Sequence, residues 1–188
     1  MRSKAKIFCS NVSGVAAIEF ALLAPIFCYI IFLIFQIGLY LYFLASLDNA
    51  VSIASRQVLT GRFANSGLSP NDFRTNVLCP LLPSVMSCNS IILNSVVIGP
   101  GNSGAGWSVA FNPTWTALNM PSMDNSKTTV CLGNTSSIVA MQVYYAMPVL
   151  GIPTGLGIVS PFNGSTVIFL RSTATWMNEP FSSSYTGC

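Results

Sequence analysis

The sequence predicts an α+β protein: a long N-terminal transmembrane helix extending into an exported domain in which an antiparallel β-sheet packs on that helix. Three observations carry this. From Phe20 to Leu47 there is no Asp, Glu, Lys, Arg or His. The residues after Leu44 then switch to an amphipathic helical pattern. Beyond Gly61 the chain changes to short β-rich runs separated by Gly, Pro and Asn, with four cysteines among them.

The span follows from composition. Of 188 residues, 52% are hydrophobic and only 7% charged, with a mean hydropathy of +0.61; soluble domains carry about 25% charged residues. Crossing a bilayer takes about 20 apolar residues, so this run crosses and continues beyond it. Arg2, Lys4 and Lys6 supply three of the eight basic residues, and without them the five remaining balance the five acids. The chain therefore has no basic field for nucleic acid, and its N-terminal charges act as a topological signal. Residues 1 to about 13 are expected in the cytoplasm and everything after Leu47 outside it. A cleaved secretory signal ranks second, because the apolar run far exceeds a 7 to 15 residue core. Pro25 is expected to kink the helix. Cys9 and Cys28 suggest no chemistry beyond ordinary thiols.

Past the membrane the helix continues. Leu44, Leu47, Val51, Ala54 and Val58 recur at steps of three and four, with Asp48, Asn49, Ser52, Ser55 and Arg56 on the other side. Gly61 and the Asn65 to Gly67 turn provide the stop. This stripe either covers the outer domain's own core or also packs on neighbouring subunits; the sequence leaves both open.

In the outer domain, strands are expected at Ile91–Ile98, Trp107–Phe111, Ser137–Met147 and Ser165–Met177, each sheet strand burying one face. A short helix is expected after Pro70, with Asp72 in its first turn. Cys79, Cys88, Cys131 and Cys188 lie beyond the anchor, where an oxidising compartment favours disulfides. Four cysteines allow three connectivities. Cys79–Cys88 is favoured by proximity, and Cys131–Cys188 would tie down the C-terminus. Zinc is disfavoured, since the chain lacks His and the cysteines lack short metal-type spacing. Without His there is no Ser-His or Cys-His pair either, and only Asp48, Asp72, Asp124 and Glu179 remain as external carboxylates. Glu179 reads as a surface residue with Arg171, Arg74 or Arg62 as ion-pair partner. No enzyme, cofactor or metal is expected.

One carboxylate stands inside the apolar segment, Glu19 in "GVAAIEFALLAPIF". This stretch resembles the processing and transmembrane signature of type IV-like prepilins, in particular the TadE family of minor pilins or pseudopilins from tight-adherence (Flp/Tad) pilus systems. The looser phrases "DFRTNVLCP", "SIVAMQVYYAMPVL" and "STATWMNEPF" extend the resemblance along most of the chain. It implies a basic leader over residues 1–14, a mature helix over 15–60 and a head over 61–188, with a prepilin peptidase cutting between Gly14 and Val15. Val15 would then carry a new ammonium, with Glu19 one helical turn away and Phe20 beside it as the motif's aromatic. Two opposite charges held in hydrocarbon offset each other within a subunit or between neighbours, which makes Glu19 a registry device.

The implied partners are the peptidase, a major Flp-type pilin, TadF- or TadG-like minor pilins, and an inner-membrane assembly platform with its ATPase, besides membrane lipid. The implied location is a bacterial inner membrane, crossed once, with the C-terminal domain periplasmic. The alternative is a membrane-anchored periplasmic binding domain that never enters a fibre, with Glu19 merely snorkelling to the interface.

Overall fold

The computed structural model describes residues 14–63, 72–99, 112, 114, 116, 130–149 and 159–181. The element order is helix α1 (Val15–Leu59), strand β1 (Ile91–Val97), strand β2 (Ile138–Pro148), strand β3 (Ser160–Phe162) and strand β4 (Ser165–Met177), with short helical turns between Arg74 and Ser90. The chain divides into two compact units, Met1–Tyr42 and Phe43–Cys188.

In the first unit α1 is exposed along nearly its whole surface. Helix α1 as a whole has 45 residues and contains Pro25, and it is long and apolar enough to cross a membrane. Pro25 lacks an N–H, so the fourth residue before it loses a hydrogen-bond partner. The helix is assigned as one element through this position.

The second unit is built where α1 becomes amphipathic. Leu47, Ala50, Val51, Ala54 and Val58 are at most 1% exposed, and Leu44 is half-buried. The head's own core thus takes up the stripe. Gly61 ends the helix at φ +67°, with its N–H on the Val58 carbonyl. A Cβ there would stand 2.6 Å from the ring of Phe181, so glycine serves both the left-handed turn and the close approach.

The four strands form one antiparallel sheet in the order β1-β2-β4-β3. Register places Leu93 opposite Val143 and Val143 opposite Ser172, so one face runs through Ile91, Leu93, Val139, Met141, Val143, Tyr145, Leu170 and Trp176, all buried. Phe43 of α1 meets Tyr145 on this face at 5.9 Å between ring centroids, and the Leu59 carbonyl accepts the Glu179 N–H at 2.9 Å. Each fully buried Leu, Ile or Val contributes about 1.5–3 kcal/mol by leaving water, which is what holds helix and sheet together.

The expectation that each strand buries one face fails for β2. Tyr144 and Ala146 of β2 face the other way and are at most 3% exposed, as is Ile92 opposite Tyr144 on β1. Their side chains are apolar on both sides, the pattern of a doubly covered central strand. Burial pushes the Tyr144 phenol above its ordinary pKa, with the Arg171 charge acting in the opposite direction.

The short helix expected after Pro70 appears as a helical turn over Arg74–Leu78 followed by a tighter one over Cys79–Leu81. Cys79 is bonded to Cys88, with Cα atoms 5.6 Å apart. Cys131 is also disulfide-bonded; its expected pairing with Cys188 lies outside the described residues, as does the strand expected at 107–111. The ion pair expected for Glu179 with Arg171, Arg74 or Arg62 is not formed. Glu179 is bound through its backbone instead, while Arg74 donates to the Cys88 carbonyl at 3.2 Å and so braces the disulfide loop.

A polar clasp closes the sheet. Asn178 is fully buried; its Oδ1 accepts from Trp176 Nε1 at 2.8 Å, and its Nδ2 donates to the Leu132 and Asn134 carbonyls at 2.8 and 3.0 Å. Its backbone N–H donates to Ser137 and its carbonyl accepts from Ser136. Ser95 plays a similar part on β1, where its hydroxyl donates to the Cys131 carbonyl at 2.9 Å.

Candidate functional site: the exposed N-terminal helix

The residues singled out at the N-terminus fall in the first unit, on the first turns of α1. Gly14 immediately precedes the helix and Val15 opens it. Among the described residues, chain neighbours and the helix's own backbone aside, nothing comes within 4 Å of where a Gly14 Cβ would stand. Val15 is about half exposed and Phe20 is 73% exposed. Glu19 is exposed on the same stretch, four residues from Val15 and hence on the same side of the helix one turn along.

The surroundings of Glu19 are almost wholly apolar. Ile18, Leu22, Leu23, Ile26, Phe27, Ile30, Ile34 and Ile37 are all more than half exposed. A soluble protein does not present such a surface to water, because large contiguous apolar patches mark membrane or partner contacts. Cys28 lies within this surface as an exposed free thiol. What the arrangement offers is an apolar surface suited to lipid or other helices, bearing one carboxylate whose desolvation calls for an opposite charge.

The remaining residues singled out are distributed through the second unit. Leu47, Val51, Ala54 and Val58 lie in the core, and Cys79, Cys88 and Cys131 secure its loops. Among the described residues no group of three or more His, Cys, Asp or Glu is arranged to hold a metal. Beside the last turns of α1, Ile53, Arg56, Gln57, Thr60 and Arg62 line an open depression of about 310 Å³; it holds no nucleophile paired with a base. Sequence reasoning missed the Asn178 clasp, for which "WMN" gives no periodic signal. It also missed the β3–β4 hairpin, although "NG" at Asn163–Gly164 between apolar residues is a strong two-residue turn signal.

The fold and this helix define a class, an α+β protein whose N-terminal helix is long and apolar enough to cross a membrane. Within that class the helical segment is TadE-like: the family model described as TadE-like protein matches residues 14–56. The match begins at Gly14 and ends inside α1, so it takes in Glu19, the apolar surface and most of the buried stripe. No curated protein and no solved structure matches the chain. TadE-like proteins are membrane-associated, structural and assembly proteins of Tad pilus systems.

Proposed function

We propose that this chain is a minor pilin or pseudopilin that takes part in initiation, priming or tip formation of a Tad/Flp-type adhesion pilus. A prepilin peptidase cuts it between Gly14 and Val15, and the mature helix enters a bundle of pilin-like helices in the inner membrane. The head stands in the periplasm and meets the major pilin, sister minor pilins and the assembly platform with its ATPase. The observation that carries this reading is the lone carboxylate of Glu19, five residues beyond Gly14 in an otherwise apolar exposed helix, within the TadE-like segment.

The chemistry gives that carboxylate a task. Cleavage at Gly14 creates an ammonium on Val15. An anion and a cation that both reside in hydrocarbon each cost several kcal/mol when unpaired. Pairing them between neighbours fixes the axial register of one helix against the next, and a helix shifted out of register leaves both charges unpaired. Glu19→Gln keeps the size and the hydrogen-bonding capacity of the side chain and removes the charge. The variant is expected to insert and to be cleaved as the native chain is, and to support few or no pili when it replaces the native chain in cells. Pili at native number and length would rule out the registry role and favour an anchor that acts outside a fibre.

A further inference from the structure

Strand β4 has 13 residues, whereas its outer neighbour β3 pairs only with Ser165, Thr166 and Val167. From Ile168 to Met177 no described strand lies on that side. The hairpin fixes which main-chain groups face it. A two-residue loop makes Phe162 and Ser165 the closing, hydrogen-bonded pair, so Ser165, Val167 and every second residue after them turn N–H and C=O away from β2.

Two bonds on the other side give the same phase. The Val149 N–H reaches the Thr166 carbonyl at 3.4 Å, and the Asn178 N–H reaches the Ser137 carbonyl at 2.9 Å. The β2–β4 register is unbroken between them, from Pro148 opposite Val167 to Ile138 opposite Met177. Among the described residues, the main chain of Phe169, Arg171, Thr173, Thr175 and Met177 therefore forms an open edge. It ends at Glu179, whose N–H is taken by Leu59.

Natural sheets blunt such edges with Lys, Pro, bulges or very short strands. β3 is short and contains Pro161, whereas the open length of β4 has no Lys, Pro or bulge and only one charge. It carries β-formers, with Thr173, Thr175 and Met177 exposed. Its single charge is Arg171, exposed and without an ion pair among the described residues.

We propose that this edge of β4 accepts an extended segment of a partner polypeptide as an added strand, with a carboxylate of that segment facing Arg171. Main-chain hydrogen bonds supply the affinity and the charge pair sets the register, as in other strand-addition complexes. A second copy of this chain fits the edge less well. Phe43 packs on Tyr145, opposite Leu170, and Leu59 meets Glu179, so the helix from Phe43 to Leu59 runs along β4 in the same direction. Antiparallel pairing of two identical edges reverses one of these helix segments, so that the Phe43 ends of the two copies point in opposite directions. The inference is independent of cleavage at Gly14.

The test uses the full chain in detergent micelles. The probe is a synthetic peptide of about nine residues, enough to span Phe169 to Met177, alternating Thr and Val with one Glu placed to face Arg171. Saturable binding below about 1 mM is expected. It should weaken about tenfold or more, the worth of one or two hydrogen bonds, when alternate peptide amides are N-methylated. Thr173→Pro removes an outward N–H and spares the β2 ladder, so it should abolish binding while the far-UV circular dichroism stays native. Absence of binding, or equal affinity of the N-methylated and parent peptides, overturns the proposal. So does native binding by a folded Thr173→Pro chain. If that variant does not fold, the two peptides on the native chain decide. A concentration-dependent dimer that Thr173→Pro disperses overturns the choice of occupant in favour of a second copy.

Discussion

At Asn178 every polar group of the residue is occupied, and four of its bonds reach back to the loop before β2. Removing the amide leaves the Trp176 N–H and the Leu132 carbonyl buried without partners, at about 1–3 kcal/mol for each orphaned group. Asn178→Ala is therefore expected to cost about 3 kcal/mol, seen as a fall in the thermal midpoint of the head in detergent, whereas substitution of exposed Thr175 should move it little. Glu19 is the opposite kind of residue. It lies on the exposed surface of the helix, so the cost of its charge would arise only where hydrocarbon or other helices surround it. The same contrast decides what was legible at this scale. A charge in an apolar run announces itself in the sequence, while an asparagine near the C-terminus gives no sign that it is the centre of a buried network.

Among the elements, α1 shows how one helix serves two environments. Its exposed apolar part and its amphipathic part were both readable, because the first lacks charge and the second has a 3.6-residue period. The choice left open for the stripe was whether its partner lay within the chain, and burial of Leu47, Val51, Ala54 and Val58 gives it an intramolecular one. Ala54→Leu should accordingly overpack the core of a single chain and cost about 1–3 kcal/mol, measured as a lower thermal midpoint that does not depend on protein concentration. A midpoint unchanged in the monomer would mean that position 54 packs elsewhere. The strands at 91–97, 138–148 and 165–177 were legible from β-branched and aromatic runs. Their order was not, since sequence gives no rule that places β4 beside β2. The double burial of β2 was signalled by "AMQVYYAM", whose apolar residues are nearly continuous rather than alternating, and the tiny strand β3 by its Asn-Gly turn.

For the whole molecule, the division at Phe43 has a consequence for stability. A chain beginning at Phe43 retains the buried face of α1 and is expected to be soluble and to unfold cooperatively in urea. One beginning at Arg62 loses Leu47, Ala50, Val51, Ala54 and Val58 from the core, about 1.5–3 kcal/mol for each large side chain, and is expected to lack a cooperative transition. The second unit is thus completed by the same helix that carries the TadE-like segment. Processing at the start of that helix is what separates a pilin-like subunit from a permanently anchored domain. The most direct test is the intact mass and N-terminal sequence of the protein purified from membranes with and without a co-expressed prepilin peptidase. A new terminus at Val15 that appears only with the peptidase is the predicted result; an intact Met1 in both samples would contradict it.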